Sequence, residues 1–123
     1  MTTFLMIEDN DDNAELLTQL LANSGYDISW APDGETGIKQ AIKQKPDIIL
    51  LDIQLPDIDG REVLKRIRAS DGLKKTPVIA VTSYAMSGDR EQLLAAGCDG
   101  YIEKPIDPIS FIEQIEGIIR ENR

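Results

Sequence analysis

Short apolar runs alternate along the chain with longer segments whose apolar residues recur every three or four positions. Phe4 to Ile7 is uniformly apolar, and acidic residues follow at once. Ala14, Leu17, Leu20 and Leu21 then return at helical spacing, and Ser24-Gly25 gives that helix its C-cap signal. Tyr26 to Ala31 reads as a second short strand. Asp33 offers an N-cap oxygen to a helix carrying Ile38, Ala41 and Ile42, which ends before Pro46. Ile48 to Leu51 is a continuous apolar run, the pattern of a strand covered on both faces. A turn with Pro56 and Asp59-Gly60 leads into a third helix marked by Val63, Leu64 and Ile67. Pro77 to Thr82 is the next buried strand. A helix from Gly88 to Ala96, with Leu93 and Leu94, stops at Gly97, and Tyr101-Ile102 is a short fifth strand. Asp107-Pro108 opens the last helix, with Asp as cap and Pro in the first turn, where no N–H is needed. Ile109, Ile112, Ile115 and Ile119 are predicted on its buried face.

Five β-α units in series predict an α/β fold, a parallel sheet doubly wound with helices on both faces. Ligands of such sheets bind beyond the carboxyl ends of the strands. The residues that close the predicted strands are therefore the candidate chemistry: Glu8-Asp9, Asp52, Thr82 and Glu103-Lys104. If all strands are parallel, three carboxylates, a hydroxyl and an ammonium project from one edge. Carboxylates that close repel one another, and some are pushed towards protonation. A divalent cation removes the conflict, and oxygen ligands without His or Cys suit Mg²⁺. A carboxylate also serves as a nucleophile in aspartyl-phosphate chemistry, where catalysis is mostly positioning and charge neutralisation.

Composition narrows this further. At 123 residues the chain is sized for one domain spanning 1–123. Its net charge of −9 argues against nucleic acid and anionic membrane as partners. There is no His, which removes His-activated nucleophiles, most His-ligated metals and a phosphohistidine carrier role. The single Cys98 forms no internal disulfide. The first residues lack a signal peptide's basic and apolar regions, and no apolar run approaches a membrane span, so the expected location is cytoplasmic.

In order, Glu8-Asp9-Asn10, Asp52 with Leu55-Pro56-Asp57-Ile58-Asp59-Gly60, Thr82, Tyr101 and Lys104-Pro105 make the sequence resemble a response-regulator receiver domain of two-component signalling. The resemblance covers nearly the whole chain. The stretch from Thr82 to Asp89 is similar to stand-alone receivers that regulate bacterial cell-cycle kinases and to receivers of hybrid histidine kinases. The resemblance implies a flavodoxin-like (βα)5 fold with strand order 2-1-3-4-5. It implies that Asp52 accepts a phosphoryl group from a phosphohistidine on a histidine kinase or histidine phosphotransfer protein. Glu8 and Asp9 then hold Mg²⁺ with Asp52 and the backbone carbonyl of Gln54. Lys104 pairs with Asp52 and later with the phosphoryl oxygens, Thr82 hydrogen-bonds the phosphoryl group, and Tyr101 changes rotamer with it. The peptide before Pro105 is implied to be cis. Two positions depart from the commonest pattern: Glu8 replaces a more frequent Asp, and Ser83 stands after Thr82 where Ala is usual.

On this reading the chain is not an enzyme in the ordinary sense and promotes only its own phosphorylation and dephosphorylation. Its signal leaves through the fourth helix, fifth strand and fifth helix to a downstream protein, with contacts expected over 84–92 and 101–111. The chain ends at Arg123 directly after the fifth helix, and Met1-Thr2-Thr3 favours a stand-alone receiver over an excised domain. Three alternatives differ in the residues they require. A Mg²⁺-dependent phosphatase using an aspartyl phosphate typically carries a second acid two residues after the nucleophile, where this chain has Gln54. A flavodoxin-like phosphate binder needs a Ser/Thr/Gly-rich first loop, whereas residues 8–12 are acidic. An unphosphorylated scaffold would not require the complete set of site residues. Asp57 and Asp59 are expected to be turn and cap residues.

Overall fold

The computed structural model describes residues 2–83 and 87–121. Five strands alternate with five helices: β1 (Thr3–Ile7), α1 (Asp11–Asn23), β2 (Asp27–Ala31), α2 (Gly34–Gln44), β3 (Ile48–Asp52), α3 (Gly60–Ala69), β4 (Val78–Thr82), α4 (Ser87–Ala95), β5 (Gly100–Glu103) and α5 (Phe111–Glu121). All strand pairs are parallel and the sheet order is β2-β1-β3-β4-β5, the flavodoxin-like order. No helix among the described residues is long and apolar enough to cross a membrane.

The unbroken apolar runs of the central strands follow from two-sided burial. Successive side chains of a strand point to opposite faces. Leu5, Ile7, Ile49 and Leu51 accordingly enter one core with Ile38 and Ala41 of α2, Val63, Leu64 and Ile67 of α3, and Leu93 of α4. Phe4, Met6, Ile48 and Leu50 enter the other with Leu17 and Leu21 of α1 and Phe111 and Ile115 of α5.

Helix ends are set locally. Asn10 caps α1 by accepting the Asn13 N–H at 2.9 Å, and Asp33 caps α2 by accepting that of Thr36 at 2.8 Å. Gly25, at φ 88°, takes the left-handed conformation just past α1, as the Ser24-Gly25 pair predicts.

Two apolar residues depart from their predicted places. Ile42, placed on the apolar face of α2, is 47% exposed, because the buried stripe runs through Gly34, Gly37, Ile38 and Ala41 and Ile42 lies about 100° off it. Ile109, placed on the buried face of α5, is 93% exposed. Asp107 does cap, accepting the Ile109 N–H at 3.1 Å and the Ser110 hydroxyl at 2.9 Å. Residues 108–110, however, form a turn outside the regular helix, which begins at Phe111. The buried face starts with Phe111 and Ile115, joined by partly buried Ile112, Ile118 and Ile119.

Candidate functional site

Register brings the polar residues together. Ile7 pairs with Leu51, so Glu8, one residue past β1, is level with Asp52 at the end of β3. Asp52 pairs with Val81, the neighbour of Thr82, and Thr82 pairs with Glu103, the neighbour of Lys104. The backbone N–H of Lys104 donates to the Thr82 carbonyl at 2.9 Å, fixing the start of the loop after β5 beside β4. The Lys104–Pro105 peptide is cis.

Glu8, Asp52 and Thr82 are all buried. Carboxylate oxygens of Glu8, Asp9 and Asp52 all lie within 4.8 Å of one another. The Lys104 ammonium lies 2.9 Å from Glu8 Oε1 and 3.4 Å from Asp52 Oδ2. The same ammonium donates to Glu8 Oε2 at 3.4 Å, so it faces both oxygens of the buried Glu8 carboxylate. Asp52 Oδ1 accepts the backbone N–H of Gln54 at 3.0 Å. The sequence-predicted set of Glu8, Asp9, Asp52, Gln54, Thr82 and Lys104 therefore meets at one edge. Tyr101, paired with Ala80 on β5, sits partly buried against the core under α2, α3 and α4.

One cation among three carboxylates leaves the site short of positive charge. Burial pushes the Glu8 carboxyl up to about 7, the neighbouring Asp52 adding to this and Lys104 opposing it. Asp9 is also raised, by desolvation and by Asp52. Burial acts to raise Asp52 too, yet Asp52 is held below the usual carboxylate range by the Glu8 carboxyl, the Gln54 N–H, Lys104 and Asp9. Asp52 is thus the carboxylate whose ionised form the site favours most, and Glu8 the one on which it favours a proton.

The loop after β3 is built for close approach. The Gly60 N–H donates to the Ile53 carbonyl at 3.0 Å, and a Cβ on Gly60 would lie 2.5 Å from Ile53 Cα and 2.9 Å from the Asp52 carbonyl oxygen. Only glycine lets α3 begin this near the site. Asp59 caps α3 through the Arg61 N–H at 2.7 Å, as predicted. Asp57 caps a different helix: its two oxygens accept the Gly34 and Glu35 N–H groups of α2, each at 2.9 Å. The Ser83 hydroxyl donates to Gln54 Oε1 at 2.8 Å, so the departure at Ser83 joins the loops after β3 and β4. Spacing gave no sign of either contact, since each depends on tertiary placement.

A family model described as the response regulator receiver domain matches residues 4–116. The polar-differentiation response regulator DivK of Brucella anthropi is 42% identical over 115 residues, covering 94% of each chain. The receiver domain of a sensor histidine kinase from Pseudomonas aeruginosa PAO1, solved with a magnesium ion coordinated in its active-site cleft, is 33% identical. It superposes at a TM-score of 0.85 over 98% of this chain and 97% of that one. A CheY-like receiver domain protein of Methanospirillum hungatei JF-1 superposes at 0.89 with 28% identity, covering 99% and 96%.

Proposed function

The chain belongs to the response regulator receiver domain family, and from that premise we propose that it is a phosphorylation-controlled signalling switch, with residues 1–123 forming one cytoplasmic receiver. Asp52 is the phosphoacceptor. The observation that carries this is its place at the end of β3, where it meets the carboxylates of Glu8 and Asp9 and lies 3.4 Å from the Lys104 ammonium. An Asp52 oxygen attacks the phosphorus of a phosphohistidine on a histidine kinase or phosphotransfer protein. The P–N bond breaks, and the imidazole leaves with the electron pair and takes a proton.

The donors suit Mg²⁺. All are oxygens, and three carboxylates converge with one ammonium beside them. Glu8, Asp9, Asp52 and the Gln54 carbonyl would hold the ion, which when bound neutralises phosphoryl oxygens. Lys104 supplies the second positive charge to the transferred group. Thr82 donates its hydroxyl to that group, and Tyr101, packed at the adjoining core, follows it. The partner face is formed by α4, β5 and α5, where Ile109 stands exposed. The contact segment expected over 84–92 begins with Tyr84, Ala85 and Met86, which lie outside the described residues.

The phosphatase alternative is disfavoured by Gln54, which carries no acid and whose side chain is engaged by Ser83. Incubation with Mg²⁺ and acetyl phosphate tests the proposal. The expected result is a Mg²⁺-dependent mass gain of one phosphoryl group in wild type and none in Asp52→Asn. Phosphorylation of Asp52→Asn, or sustained turnover of phosphoesters by wild type, overturns it.

A further inference from the structure

The amino ends of the strands, opposite the Asp52 edge, carry a different charge. Residues 39–75 hold nine Lys and Arg against six acids, a local excess of base in a chain of net −9. Three of those lysines meet where α2 ends beside the loop that joins α3 to β4. Lys74 and Lys75 line a cleft of about 280 Å³ with Gly72. A Cβ on Gly72 would lie 3.1 and 3.2 Å from Lys45 Cε and Nζ, so the Lys45 ammonium rests on that glycine. We propose that this cleft binds the phosphate chain of a small polyphosphate anion.

The ammonium groups are short of counter-charge. Lys45 and Lys75 form no ion pair among the described residues, and Lys74 reaches only Asp71, at 3.7 Å in solvent. Asp47, two residues after Lys45, is engaged elsewhere: it accepts the Thr3 N–H at 2.8 Å and the Thr3 hydroxyl at 3.2 Å. Like charges held together repel, and an anion among them removes the conflict.

The loop backbone adds donors. Arg68 Nη1 takes the carbonyls of Leu73, Lys74 and Thr76, at 3.1, 3.3 and 2.6 Å. The backbone N–H groups of Lys74 and Lys75 donate to nothing among the described residues. The acceptors of this loop are thus occupied while two successive donors are not, and successive free N–H groups in a turn suit an anion. Lys45 itself closes α2 at φ 48°, in the left-handed region that favours glycine or asparagine. Pro46 ends the helix there in any case, so the lysine contributes a charge at a position where glycine would fit with less strain.

Charge also sets the class of ligand. Three ammonium groups act as point charges for several phosphate oxygens, more than one carboxylate can use. Nucleic acid and anionic lipid, which extend past the cleft, meet the acidic remainder of the molecule. The cleft and Asp52 lie at opposite ends of the strands, so the inference does not rest on the switch reading.

Amide NMR of the isotope-labelled chain tests it, in EDTA at fixed ionic strength, with sodium tripolyphosphate, a nucleoside triphosphate and sulfate as probes. Tripolyphosphate is expected to give saturable shifts at Lys45 and across residues 71–76. Sulfate should bind about tenfold more weakly. A nucleoside triphosphate that binds several-fold tighter than tripolyphosphate assigns the site to a nucleotide, and equal binding assigns it to the phosphate chain alone; both support the proposal. Lys74→Gln/Lys75→Gln should weaken tripolyphosphate about tenfold, as expected for losing two exposed ion pairs. Lys45→Gly should weaken it about threefold and raise the melting temperature, opposite signs that a merely structural lysine would not give. Asp52→Asn should bind it as wild type does. Absence of a saturable shift overturns the proposal. So does equal binding by sulfate, by the double variant or by Lys45→Gly, and so do shifts that map to the Asp52 edge.

Discussion

Two polar clusters occupy opposite edges of the same sheet and are satisfied in opposite ways. Beyond the amino ends of β4 and β5, Arg68 of α3 spends its guanidinium within the chain. Nε and Nη2 donate to the Gly97 carbonyl at 3.1 and 2.8 Å, Nη2 also to Asp99 at 2.8 Å, and Nη1 to the Leu73 and Thr76 carbonyls at 3.1 and 2.6 Å. Asp99 in turn accepts the Val78 N–H at 2.8 Å. At the carboxyl edge, one ammonium faces three carboxylates. The first cluster closes a structure and asks for nothing further. The second is stable only to the extent that protons, or a cation, fill it. A polar cluster left incomplete by its own chain is where a ligand belongs.

Removing a member of each cluster separates the two cases most sharply. Arg68→Ala should cost about 2–4 kcal/mol, since it strips several carbonyls and a half-buried carboxylate of their partner. Urea unfolding measures this, and a loss below about 0.5 kcal/mol would equate Arg68 with an ordinary surface residue. Apo-state Mg²⁺ affinity should be unchanged.

Glu8→Gln should have the opposite sign. Glu8 binds its proton more tightly folded than unfolded, about 7 against 4.5. Its contribution is therefore fully present below pH 4.5 and lost as pH rises through 7, and Asp9 acts in the same direction. Asp52, held low, acts the other way, its contribution lost only as pH falls below its ordinary value of 3.8. Metal-free wild type should lose about 1–3 kcal/mol between pH 4.5 and 8, and Glu8→Gln should flatten that slope. Mg²⁺ at pH 8 should restore wild type far more than the variant. Thermal melts across pH in EDTA decide it, and parallel profiles would refute the assignment of the proton to Glu8.

The smallest effect belongs to Asp57. It touches neither cluster but ties the loop after β3 to the start of α2. Asp57→Asn should cost about 1 kcal/mol, the worth of a helix-terminal carboxylate, as read by chemical denaturation. No loss would mean that Asp33 alone caps α2.

The architecture was legible because two-sided burial writes itself as continuous apolar runs, as at Ile48 to Leu51, and because Gly25, Asp33, Asp59 and Asp107 are local punctuation. The acidic edge was legible because parallel strands place their last residues together. Ile109 and Ile42 misled because a helical period says where a stripe lies only once the helix's start and the stripe's centre are known. Arg68 gave no signal, and Asp57 was legible as a cap but not as the cap of α2. Their partners lie at residues 73–76 and 97–99, and at 34 and 35, and no local rule links such positions.

The pairing of Lys104 with Glu8 has a consequence for the chain as it is made. The two residues are 96 positions apart. During synthesis, Glu8, Asp9 and Asp52 all emerge before the one lysine that balances them. Until Lys104 emerges the growing chain holds these acidic residues without that counter-charge, and contacts this distant in sequence form late. The edge where the chemistry is proposed is thus completed only after the apolar strands β1 to β5 that carry it have emerged.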